Sequence, residues 1–152
     1  MKKIYFLAMI SFLAIATVFT SCSKEDDNDE KDTPKTKTEL LTVSKWKMTA
    51  FTVNPAVDGQ TDLYASMEDC EKDDTFKFNT NGTYTSYEEN NICEDSEPQE
   101  SGTWSFNSTK TELLMDNDLI FTIVSLTDSK CVISMQREEE GTTYTYTKTF
   151  TH

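Results

Sequence analysis

The chain contains one histidine, His152. A Ser-His-Asp relay, a Cys-His pair and a histidine zinc site each need an imidazole held among other groups, so their chemistry is excluded. Basic side chains are scarce too: 14 Lys and Arg stand against 27 Asp and Glu, a formal net charge of -13. Such a surface repels phosphate backbones, and nucleic acid is not an expected partner. Anionic lipid is repelled for the same reason. No internal repeat is visible. The acidic runs Asp26 to Glu30 and Asp116-Asn117-Asp118 lack the alternating ligands and mid-loop glycine of a calcium loop. Carboxylate-only catalysis needs two acids facing each other across a cleft, whereas the acids here fall mostly in turns and in one polar stretch. No metal, cofactor or enzymatic activity is expected.

Long apolar sequence is confined to Ile4 through Phe19, preceded by Lys2 and Lys3 and followed by Thr20 and Ser21. That run falls short of the about 20 residues of a membrane-spanning helix, and its charge-then-apolar layout is that of a secretory signal over residues 1–21. Phe19-Thr20-Ser21-Cys22 resembles the lipobox of bacterial lipoproteins, in which cleavage leaves a diacylglyceryl cysteine as first residue. The resemblance makes Cys22 the lipidation site. Ser23-Lys24-Glu25-Asp26-Asp27 resembles the export signal of Bacteroidota lipoproteins, which implies an outer-membrane anchor displayed at the cell surface. Residues 22–37 offer nothing to bury. They read as an acidic tether reaching on the order of 20 Å.

The remainder, residues 38–152, has the size of one domain. It alternates short runs rich in Thr, Tyr, Phe, Val and Ile with turn residues, the pattern of an all-β protein. Eight strands are expected, at 44–53, 74–79, 83–88, 101–107, 111–115, 118–126, 129–137 and 142–151. The last is the clearest, with Tyr144, Tyr146, Lys148 and Phe150 on one face and threonines on the other. One short helical turn is expected at Thr38 to Val43 and a second at Thr61 to Glu68, capped by Asp62. Most connections are hairpin-sized, so successive strands pair antiparallel in an up-and-down meander. Eight strands in that order can close into a barrel with room for one small guest.

Cysteine placement agrees with that order. A two-residue turn at Asn81-Gly82 pairs residues whose numbers total 163, as Cys70 and Cys93 do; a type I turn with a bulge at Gly82 shifts the pairing by one and keeps them close. An oxidising destination permits the disulfide. Cys131, in Lys130-Cys131-Val132-Ile133, reads as a small buried apolar residue.

Lys45-Trp46, Cys70-x-x-Asp73-Asp74-x-Phe76-x-Phe78, Asn81-Gly82-Thr83-Tyr84, Cys93 and Gly102-x-Trp104 occur in an order that resembles the lipocalin-like lipoproteins of Bacteroidota, over about residues 40–150. Lipocalins carry Gly-x-Trp on their first strand; Ser44 stands at that glycine here. The resemblance implies a cup for a small apolar or amphipathic molecule, with Trp46 plugging its closed end. Face assignments give Trp46, Met48, Phe76, Phe78, Tyr84, Trp104, Phe121, Ile133, Met135, Tyr144 and Tyr146 as inward residues, which either pack the core or touch a ligand. The alternative working surface is a pair of polar loops, 54–73 and 89–100, joined through Cys70 and Cys93 and suited to a protein or glycan partner.

Overall fold

The computed structural model describes residues 33–152, so the leader, Cys22 and most of the tether lie outside the described residues. The first element, α1 (Lys37–Thr42), is opened by a reciprocal cap. Thr36 Oγ1 accepts from the Glu39 N–H at 3.2 Å, and Glu39 Oε2 accepts from the Thr36 N–H at 2.7 Å. Lys35 pairs with Asp128 at 2.5 Å, so ordered contacts begin a few residues before the expected start at 38.

Nine strands follow: β1 (Lys45–Val57), β2 (Gln60–Asp62), β3 (Thr75–Phe78), β4 (Thr83–Tyr87), β5 (Gln99–Phe106), β6 (Glu112–Met115), β7 (Leu119–Leu126), β8 (Lys130–Glu139) and β9 (Thr142–Thr151). From β3 to β9 each strand is antiparallel to the next, and β1 pairs with β3 along one edge and with β9 along the other. Eight strands therefore close an antiparallel meander barrel with no free edge, as the turn lengths predict. The ninth, β2, is an accessory: Thr52 pairs with Thr147 of β9 on one side and with Asp62 of β2 on the other.

The segment expected as an open loop, 54–73, is largely folded. β1 runs on to Val57 and reverses through Asp58 and Gly59, both at positive φ, as an Asp-Gly hairpin turn requires. The expected helix at 61–68 is a single 3-10 turn, Tyr64–Ser66, with Asp62 Oδ1 accepting from the Ala65 N–H at 3.1 Å. A second short helix, α2 (Asp69–Lys72), carries Cys70.

At the first hairpin the register differs by one from the two-residue turn. Phe78 pairs with Tyr84 and Thr75 with Tyr87, because Gly82 alone takes positive φ (84°) and forms the bulge after a type I turn. Cys70 and Cys93 are joined, with their Cα atoms 5.3 Å apart, but they lie beyond the strand ends. The bond ties α2 to the connection between β4 and β5.

The core lies at one end of the barrel. Leu41 of α1 and Trp46 of β1 are each 1% exposed, and the Trp46 indole N–H donates to the Leu41 carbonyl at 2.7 Å. Trp46 and α1 thus pack together as the floor of the barrel. Above them pack Phe78, Trp104, Leu113 and Phe121. Cys131 is buried beside them, and burial pushes its thiol up to about 12, which suits packing rather than reactivity.

Candidate functional site

The alternation of each strand sends one set of side chains inward. Bulges decide which set. On β1, Met48 pairs with Phe150 and Ala50 with Thr149, so Thr49 is an extra residue and the inward face changes from Trp46 and Met48 to Phe51 and Val53. Opposite Phe51, β9 presents Lys148.

Two adjoining hollows lie inside. The lower one, about 200 Å³, rests on Trp46 and is walled by Phe76, Phe78, Tyr84, Phe121 and Ile133. The upper one, about 270 Å³, is walled by Phe51, Met135, Tyr146 and Arg137. Phe121, Ile133 and Lys148 border both. Eight of the eleven inward residues expected from the sequence thus meet around one space.

Three do not line either hollow. Trp104 is buried, but its ring sits edge-on to Phe78 and Phe106, and its N–H donates to the carbonyls of Asn79 and Thr83 at 3.0 Å each. It clamps the β3–β4 turn to the barrel. Met48 faces a third, more open hollow of about 650 Å³, which shares Phe76 and Lys148 with the interior ones. Tyr144 lies nearer the β8–β9 turn, paired across from Arg137, with its ring 6.5 Å from Tyr146.

Eight further residues line the hollows: Phe51, Leu113, Met115, Leu119, Cys131, Arg137, Lys148 and Phe150. Phe51 is hidden by the bulge. Lys148 stands on the inward face of the last strand in the sequence itself, and its alternation with Tyr146 and Phe150 is the signal that would have found it. Burial lowers the pKa of its ammonium.

Tyr84 is set by its neighbours. It pairs across from Gly102, and its hydroxyl donates to Asp116 Oδ2 at 2.5 Å, while the Thr103 N–H donates to Asp116 Oδ1 at 2.9 Å. Burial first, then the Asp116 bond, push the Tyr84 hydroxyl up to about 12. A Cβ at Gly102 would fall 2.2 Å from Asp116 Oδ1 and 2.5 Å from the Tyr84 ring. Gly102→Ala is therefore expected to cost about 1–3 kcal/mol by forced repacking, read as a lower urea midpoint.

The open hollow beside Met48 is acidic, with Glu68, Glu71, Asp74 and Glu88 on its wall. Asp74 Oδ1 is buried with no hydrogen-bond partner among the described residues. Burial, then the charges of Glu88, Asp73, Glu71 and Glu89, raise the Asp74 pKa to about 6 from an ordinary 3.8. A carboxyl whose folded pKa is raised adds stability while protonated and loses it as pH climbs. Stability should therefore fall between pH 4 and 6, by about 1 kcal/mol once solvent screening is allowed for. Denaturant midpoints for Asp74→Asn should lack that step. Glu68 lies near both cysteine sulfurs, but these are bonded to each other and offer no thiolate to a metal.

The complex of bovine odorant binding protein with a selenium-containing odorant is similar over 78% of this chain and 74% of that one, at 12% identity and a TM-score of 0.44. No curated protein matches the chain. The family model described as a lipocalin-like domain matches residues 42–133, more than half the sequence, from the floor of the barrel through Ile133. The chain belongs to the lipocalin-like domain family.

Proposed function

We propose that this protein is a carrier that holds a small apolar or amphipathic molecule inside its barrel while a lipid on Cys22 keeps it at the outer membrane, facing outward. One observation carries the first half: the barrel is closed all round, yet its interior is not filled by side chains. Apolar walls bordering an unfilled space favour a guest that surrenders its own apolar surface, at about 25 cal/mol per Å² removed from water. Useful small-molecule pockets run from about 300 Å³ upward. Each hollow is below that, so a slender molecule spanning both fits better than a bulky one.

The anchor rests on the residue pattern Phe19-Thr20-Ser21-Cys22 and the charged stretch after it. Growth with an alkyne-tagged fatty acid should label the wild type and leave Cys22→Ala unlabelled.

Titration with the neutral fluorophore N-phenyl-1-naphthylamine tests the carrier reading. Saturable binding is expected, with at least a tenfold loss in Ile133→Phe and in Met135→Trp, each checked for a native circular-dichroism spectrum. Equal binding by wild type and both variants would place the probe elsewhere and end the reading.

A further inference from the structure

Lys148 is the feature of the interior that packing does not explain. Its side chain borders both apolar hollows, between the floor at Trp46 and the rim at Arg137. Among the described residues it makes no ion pair or hydrogen bond, and its ammonium lies 5.0 Å from the centre of the Phe51 ring. A ring face attracts a cation but leaves its N–H donors without acceptors. Holding an ammonium in such surroundings costs free energy that a methionine or threonine at this position would not. Arg137, exposed at the rim of the upper hollow, adds a second positive charge on the same wall. The acids Glu68, Glu71, Asp74 and Glu88 border the third hollow, which Lys148 also touches, and none lies within ion-pair distance of it.

Resting on the carrier reading above, we infer that the guest is a single-chain amphiphile with an anionic headgroup, its carboxylate taken by Lys148 and its tail laid in the lower hollow toward Trp46. The headgroup supplies the acceptors that the ammonium lacks, and the aromatic floor takes the chain. Arg137 meets the anion first, at the entrance. The small lower hollow, about 200 Å³, limits the tail to medium length.

Three ten-carbon competitors that differ only at the head, decanoate, decanol and decylamine, decide the matter when each is used to displace N-phenyl-1-naphthylamine. Decanoate is expected to compete at least tenfold better than decanol, as for a hydrogen bond to a charged group in a sheltered site, and decylamine worst. Lys148→Met should erase the advantage of decanoate over decanol, and Lys148→Arg should keep it. A folded Lys148→Met domain that still prefers decanoate overturns the assignment. So does wild-type protein that takes decanol equally well or prefers decylamine; in both cases the carrier reading stands and only the headgroup falls. If none of the three displaces the probe, the carrier reading falls as well.

Discussion

Trp46→Ala is expected to destabilise the domain by about 3–5 kcal/mol, the range for deleting a buried aromatic side chain. The indole is 1% exposed, touches His152 edge-on with ring centres 4.7 Å apart, and holds the Leu41 carbonyl of α1. Its removal takes away the floor and leaves that carbonyl unpaired in a buried position, a further penalty of about 1–3 kcal/mol when water cannot reach it. Since whole domains are stable by only about 5–15 kcal/mol, the variant should be near its unfolding midpoint without denaturant. Trp46→Phe keeps the ring and loses the bond. Its urea midpoint should fall between those of wild type and Trp46→Ala. Equal midpoints for wild type and Trp46→Ala would mean that Trp46 and α1 do not close the barrel.

The second large effect is expected from the disulfide. Cys70 and Cys93 are 23 residues apart, and opening that loop should cost about 3 kcal/mol, chiefly by freeing the unfolded chain. The paired substitution Cys70→Ser with Cys93→Ser is the cleaner test, because a single one leaves a reactive thiol. Neither cysteine borders the two apolar hollows, and the β3–β4 pairing within the bridged segment is held by its own ladder. The doubly substituted domain should therefore show a lower midpoint with an unchanged affinity for N-phenyl-1-naphthylamine. A matching loss of affinity would assign the tied loops a share in binding.

Much of this architecture is written locally. Asn81-Gly82, Glu140-Gly141 and the Thr-rich alternation of β9 specify hairpins and faces without reference to the rest of the chain. The place of Trp46 is legible only through the resemblance, which sets a tryptophan on the first strand of the barrel. Departures from strict alternation are what the residues do not announce. One extra residue at Thr49 turns Phe51 inward, and β1 runs past Asn54, the last residue paired with β9, to Val57. The bulge at Gly82 is one of the two turns that Asn81-Gly82 offers, and the structure takes the one that moves the register by one. Depth is also hidden. Alternation puts Trp104 and Ile133 on inward faces alike, yet Trp104 is fixed by two turn carbonyls and Ile133 borders open space. Lys148 shows the same limit in reverse: its face is plain in the sequence, but its lack of an acidic partner is a matter of three dimensions.

The carrier function depends on a guest residing inside the barrel. The most direct measurement is a set of intermolecular nuclear Overhauser contacts between bound decanol and a domain carrying labelled isoleucine, methionine and valine methyl groups. Ile133 and Met135 face the hollows, whereas Ile120 and Val124 are 54% and 60% exposed on β7. Contacts to Ile133 and Met135, with none to Ile120 or Val124, are the predicted result. Contacts confined to Ile120 and Val124 would contradict it.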